Sequence, residues 1–287
     1  MNRRTALLTI ASGLALAACE AERGTRPVQR TSRSPQPSQT QPSQTQTSQT
    51  QTSQPAALRF PSPDAYADAQ PSQFGMHLPG ITDFLPTQPP LRTLALTFDA
   101  CGGEVDHALV DTLRELRVPA TLFLAGPWIK AHPDLTRELA NDPLFQLENH
   151  GARHLPLSVN GQHVYGIPGT ASPAEAIQEV AENAETLRSF GVNSTWFRAA
   201  TAHYDDVAVR ILADSGARIA GFATNGDFGA TASPAQVTQQ IHQAPDGAIV
   251  LIHMNHPQSG TAAGVRQAIE QLHGQARFIQ LGEGTPA

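Results

Sequence analysis

The sequence predicts an α/β fold in which parallel strands close, or nearly close, into a barrel. From residue 91 onward, short apolar runs alternate with longer amphipathic ones, the pattern of repeated βα units. The runs are apolar almost throughout, as strands covered on both faces are. Ionisable residues then recur directly after them, at the edge where the loops of parallel α/β folds converge.

Leu94 to Phe98 is the first predicted strand, followed by Ala120 to Leu124, Phe145 to Glu148, Ser194 to Phe197, Arg218 to Ala223, Ala248 to Ile252 and Arg277 to Leu281. Seven strands with helices between them favour a barrel over an open sheet. The helices carry their own punctuation. Ser172-Pro173-Ala174-Glu175 supplies an N-cap, a first-turn proline and a capping-box glutamate. Ile177, Val180, Ala184 and Leu187 form one apolar stripe behind it, and Gly191 ends the helix. Ser233-Pro234 starts another, and a third runs from about Ala262 to Leu272, closing near Gly274.

The chain ahead of this pattern has a different composition. Arg3 and Arg4 precede an apolar stretch from Ala6 to Ala18, a basic end and short apolar core that read as an export signal over residues 1–18. Leu16-Ala17-Ala18-Cys19 resembles the lipobox of bacterial lipoproteins, which implies acylation of Cys19; ordinary cleavage after Ala18 is the alternative. Arg3-Arg4 hints at twin-arginine export, and the resemblance to lipoproteins implies, through Glu20 rather than aspartate after the cysteine, outer-membrane sorting in a diderm cell. Residues 19–60, rich in Pro, Ser, Gln and Thr, cannot bury enough apolar surface to offset ordering and read as a disordered tether. Residues 61–90 read as an irregular lead-in, and 91–287 as the folded domain. The expected location is the bacterial cell envelope, with membrane attachment through Cys19.

Charge narrows the partners. Residues 61–287 hold 12 Lys/Arg against 23 Asp/Glu, the wrong balance for gripping a phosphate backbone, so nucleic acid is not expected.

Five groups sit at C-terminal strand ends: Asp99 after Phe98, His150 after Asn149, Arg198 after Phe197, Asp227 shortly after Ala223, and His253 after Ile252. Gathered on one edge, they make one site. His150 and His154, four apart, share a face if the segment is a helical turn, and two such histidines can hold one divalent metal.

The order Thr97-Phe98-Asp99, His150 to His154, Trp196-Phe197-Arg198, Asn225-Gly226-Asp227-Phe228 and Leu251-Ile252-His253 resembles the NodB-type polysaccharide deacetylases of carbohydrate esterase family four, over about residues 91–282. The resemblance implies a distorted (β/α)7 barrel, a divalent metal for which zinc is the first expectation, and removal of acetyl groups from an amino-sugar polysaccharide or peptidoglycan. It makes Asp99 the base that activates water, His150 and His154 metal ligands, and His253 the acid that protonates the departing amine. Arg198 would orient Asp99 and Asp227 would hold His253. The residue types suit the chemistry: amide hydrolysis needs an activated water, charge for the oxyanion and a proton for the amine. A catalytically weak or inactive glycan-binding protein of the same fold is the competing expectation.

Two departures motivate that alternative. The family has a second aspartate directly after the first as third metal ligand, and here that position is Ala100. Asp99 is the leading replacement, with Cys101, water, Glu104 and Asp106 behind it. After Arg198, where the family commonly has a proline and an aromatic residue, the chain reads Ala199-Ala200-Thr201-Ala202-His203-Tyr204. His203, Tyr204, His256 and Trp128 are each candidates for lining a sugar groove or for ordinary structural roles.

Overall fold

The computed structural model describes residues 56–87 and 89–282. The export signal, Cys19 and nearly all of the tether lie outside the described residues. In chain order the elements are β1 (Phe74–Gly75), β2 (Ile81–Thr82), β3 (Arg92–Ala100), α1 (His107–Glu115), β4 (Ala120–Leu124), α2 (Gly126–Ala131), α3 (Pro133–Ala140) and β5 (Phe145–Asn149). They continue with β6 (His163–Val164), β7 (Ile167–Pro168), α4 (Pro173–Arg188), β8 (Trp196–Phe197), β9 (Tyr204–Asp205), α5 (Asp206–Asp214) and β10 (Arg218–Ala220). The last are β11 (Thr224–Asn225), α6 (Pro234–Gln243), β12 (Ile249–His253), α7 (Thr261–Gln271) and β13 (Ala276–Phe278).

The main sheet has nine strands in the order β11-β12-β3-β4-β5-β8-β10-β2, with β13 pairing to β3. Every pair in it is parallel, so the strands share one C-terminal edge. This is the barrel that the alternating pattern predicts, distorted as the family resemblance implies, and each of the seven predicted runs contains a strand.

Period-two alternation sorts the strand residues into two layers. Leu94, Leu96, Phe98 and Ala100 of β3 join Leu122, Leu124, Val250 and Ile252 in the core beneath the helices. Ala95, Phe123, Trp196, Ala220 and Ile249 fill the barrel interior. The predicted helix punctuation is present: the Ser172 hydroxyl accepts from the Glu175 amide, and Ser233 with Gln236 makes a full capping box.

The chain before residue 91 differs from expectation. Leu58 and Phe60 pack on the core around α5, and β2 adds to the sheet beside β10. Beyond β2, the Ile249 amide donates to the Asp83 carbonyl and the Leu85 amide to the Gly247 carbonyl, so this segment links the β10 side of the sheet to β12 and completes the ring. The predicted strand from Arg218 to Ala223 accordingly stops at Ala220. A Cβ on Gly221 would collide with Asp83 and Ile81, so the crossing requires glycine there. Among the described residues no helix is long and apolar enough to cross a membrane.

Candidate active site

The sheet's C-terminal edge brings all six predicted residues together. Asp99, His150, His154 and His253 line one cavity of about 360 Å³. Arg198 and Asp227 stand behind it, fully buried. Register makes this unavoidable: Asp99 and His253 are Cα partners on β3 and β12, and alternation turns both toward the barrel axis.

Asp99 is gripped from below. Its Oδ1 accepts from Arg198 Nη1 at 2.8 Å, and Arg198 also donates to Thr97 Oγ1 at 2.9 Å, the Gly221 carbonyl at 2.9 Å and the Ala220 carbonyl at 3.3 Å. The guanidinium lies 4.3 Å from the centre of the Phe123 ring. With each direction occupied, Arg198 cannot swing away from the carboxylate. Burial alone would push the Asp99 pKa up; the charge and hydrogen bond of Arg198 outweigh it and hold the carboxyl below its ordinary range.

The second dyad sits opposite. Asp227 Oδ1 faces His253 Nδ1 at 2.9 Å, while its Oδ2 accepts from the His253 amide at 2.8 Å and from Thr261 Oγ1 at 3.2 Å. Burial works against a charged His253, but the hydrogen bond and charge of Asp227 overcome it and raise the imidazole pKa. Nδ1 is thereby committed to Asp227 and Nε2 is left for the cavity.

His150 and His154 meet by a route other than the predicted helical turn. The segment is a bent loop in which Gly151 has φ +87° and His154 φ +62°. The two rings nevertheless lie 4.8 Å apart at 64°. His150 Nδ1 donates to the Arg198 carbonyl at 2.7 Å, which turns its unprotonated Nε2 toward the cavity. His154 Nε2 is buried with no hydrogen-bond partner. Burial lowers both pKa values, His154 to about 3 with help from its neighbour His150, so both rings are neutral donors.

The third member of this cluster is Cys101. Its Sγ lies 3.6 Å from His150 Nε2, and the ligand atoms of Cys101, His150 and His154 all fall within 4.8 Å of one another. Asp99 Oδ2 is 3.7 Å from His150 Nε2, and its other oxygen is engaged by Arg198. Ala100 points into the helix-side core. Alternation along β3 thus explains the arrangement: residues 99 and 101 face the barrel interior and residue 100 does not. Two neutral imidazoles, one with an orphaned nitrogen, and a thiol form a donor set suited to a divalent metal of borderline softness. Burial, then Asp99 and Asp227, raise the Cys101 thiol pKa, so a bound cation would supply the charge that stabilises its thiolate.

The other candidates resolve structurally. Asp106 caps α1 by accepting from the Leu109 amide, and Trp128 is core, its Nε1 donating to the Glu104 carbonyl. The Tyr204 hydroxyl is an internal strut that accepts from the Ala199 amide at 2.7 Å. Around the mouth stand side chains to which the sequence reading gave no site role: Met76, Tyr165, Phe222 and Phe228.

Comparison with known proteins agrees with this geometry. Residues 87–220 match the family described as polysaccharide deacetylase. An uncharacterized protein of Streptomyces coelicolor is 34% identical over 211 residues, 71% of this chain and 74% of that protein. A chitooligosaccharide deacetylase of Rhizobium leguminosarum bv. trifolii is 36% identical over 104 residues, 34% of this chain and 40% of that protein. Among solved structures, a family-four carbohydrate esterase pseudoenzyme from Bacillus anthracis superposes with a TM-score of 0.57 at 21% identity, covering 69% of this chain and 66% of its own. With the order of motifs, the barrel and the clustered edge residues, these matches show that the chain belongs to the polysaccharide deacetylase family of hydrolases.

Proposed function

We propose that this protein is a metal-dependent deacetylase of an acetylated amino-sugar polymer, chitin-type or peptidoglycan. The single observation that carries the reading is the pair of opposed dyads, Asp99 with Arg198 and Asp227 with His253, on either side of a cavity that holds three metal-type donors. Cys101, His150 and His154 would hold the metal, whose contribution when bound is Lewis acidity toward the acyl oxygen and the attacking water. Asp99, kept ionised by Arg198, takes a proton from water as the water oxygen attacks the acetyl carbon. His253, protonated on Nε2 and held at Nδ1 by Asp227, gives a proton to the amine nitrogen as the C–N bond breaks. The free amine and acetate are the products.

The test couples acetate release from N-acetylated chito-oligomers and peptidoglycan, with and without a chelator, to metal content by elemental analysis. The expected result is chelator-sensitive release and near-stoichiometric metal, with Cys101→Ser losing most of the metal and Cys101→Asp regaining part of it. Absent or chelator-insensitive release on every acetylated glycan would remove the proposal. The second reading, a weak or inactive glycan-binding protein, is favoured by Ala100, which stands where the family's third metal ligand is expected. Bound metal without acetate release would select it.

The proposal extends to the cell envelope, with a lipid on Cys19, supported by the basic and apolar run that precedes Leu16-Ala17-Ala18-Cys19. Incorporation of labelled palmitate that Cys19→Ser abolishes is the expected outcome, and labelling unaffected by that substitution would remove this extension.

A further inference from the structure

We propose that Tyr165 is a specificity-determining residue: a stacking platform for the sugar ring next to the one being deacetylated. The inference rests on the glycan reading above and deepens it. Strands β6 and β7 form a hairpin with a two-residue loop, since Val164 pairs with Ile167. Both loop residues have positive φ, Tyr165 at +52° and Gly166 at +78°, the type I′ geometry. That turn favours Asn or Gly at its first central position, and a bulky side chain there is strained. Here a tyrosine occupies it. Tyr165 is also 79% exposed, the most exposed large apolar side chain among the described residues, so packing does not repay the strain.

Its position supplies the reason. Tyr165 lines the same cavity as His154 and His253, on the rim rather than at the floor. It is braced from behind: its ring meets the His203 ring edge-on at 5.9 Å and 87°, and His203 in turn rests on Phe74 at 5.5 Å. His203 is itself fixed, its Nδ1 facing the Thr201 carbonyl at 2.7 Å. The result is a three-ring ladder that ends in a flat, rigid and solvent-facing aromatic beside the reacting centre. A phenol with one apolar face and one wet edge suits the C–H face of a pyranose whose hydroxyls stay hydrated. The floor of the cavity reads the acetyl group; Tyr165 would read the chain that carries it.

The experiment measures oligomer binding by calorimetry and, in parallel, steady-state kinetics on N-acetylglucosamine oligomers of two to six units and on 4-nitrophenyl acetate, which carries no sugar. Tyr165→Ala, Tyr165→Phe and Tyr165→Asn are compared with the wild type. We expect Tyr165→Ala and Tyr165→Asn to raise Kd and KM for the longer oligomers about tenfold, with kcat within about twofold and ester hydrolysis unchanged. Tyr165→Phe should behave as wild type. Tyr165→Asn should melt no lower than the wild type, because it suits the turn. Unchanged oligomer affinity in Tyr165→Ala, or an equal loss on oligomer and ester, overturns the platform. Tyr165-dependent binding without acetate release would sink the deacetylase reading and keep the platform. A wild type that binds no oligomer yet releases acetate from peptidoglycan sinks the platform and keeps the deacetylase reading.

Discussion

Asp99 and Asp227 are both buried carboxylates at the C-terminal edge of the sheet, yet they are built for opposite ends. Asp99 is paired with an arginine that has no freedom to move and no accessible neutral form, so its partner stabilises the carboxylate itself. Asp227 is paired with a histidine, and the stabilisation flows outward, to the imidazolium. The same side chain thus becomes a base in one place and an orienting group in the other, according to whether its partner's charge is permanent or titratable. A third buried carboxylate, Glu148, supplies the contrast. It faces the barrel interior one layer below the site, accepting from the Thr195 and Trp196 amides and from Gln146, with only the weaker influence of Arg218 as a cation. Burial dominates, and its pKa rises to about 7.

Breaking the first dyad should have the largest effect. On the proposed roles, Asp99→Asn is expected to lower kcat by about 10²–10⁴-fold while metal content stays near that of the wild type. Metal loss in parallel with activity would make Asp99 the third ligand in place of Cys101. The variant also leaves Arg198 buried without a counter-charge, and loss of one partner of such a pair costs about 3–5 kcal/mol. Chemical denaturation read beside the kinetics separates the two losses.

The second dyad should give a smaller and differently shaped loss. Asp227→Asn removes the group that raises the His253 pKa, so the alkaline limb of kcat/KM should move to lower pH, with a rate loss of about 10–10²-fold at the optimum. A uniform fall with the limb in place would assign Asp227 a structural role only.

The smallest effect is expected at Glu148, in stability alone. Its folded-state pKa lies above its unfolded value, so the folded protein binds more protons in that window and stability falls as pH rises from about 4.5 toward about 7. The difference in melting temperature between Glu148→Gln and wild type should therefore shift in favour of the variant, by about 5–10 °C, between pH 5 and pH 8. A constant difference would show that the carboxyl is ionised throughout.

Much of this arrangement was legible in the sequence because strand ends are loud signals. Asp99, His150, Arg198 and His253 each follow an apolar run closely, and parallel topology carries such residues to one edge. Cys101 was harder to place: comparison with the family directs attention to position 100, whereas simple alternation from Asp99 points to position 101. The strands β1, β2, β6 and β7 have two residues each, too short for any periodicity, and their pairing is decided by partners distant in sequence. Tyr165 was invisible for a related reason, since only a turn conformation distinguishes it from an ordinary loop residue.

The segment that precedes residue 91 has a mechanical consequence. Chain entering the described domain at residue 56 is held by Leu58 and Phe60 on the core around α5, by the Arg59 amide on the Ser215 carbonyl, by the Tyr66 hydroxyl on Asp214, and by the Ser72 and Gln73 amides on Asp206, before Phe74 and Gly75 pair with Asp205 and Tyr204. Only after that does it reach the barrel through β2. A load applied upstream would therefore be taken up by α5 and its two ends before it arrived at Phe74 and the back of the His203 and Tyr165 ladder. The rim of the cavity is thereby insulated from traction on the chain that leads into the domain.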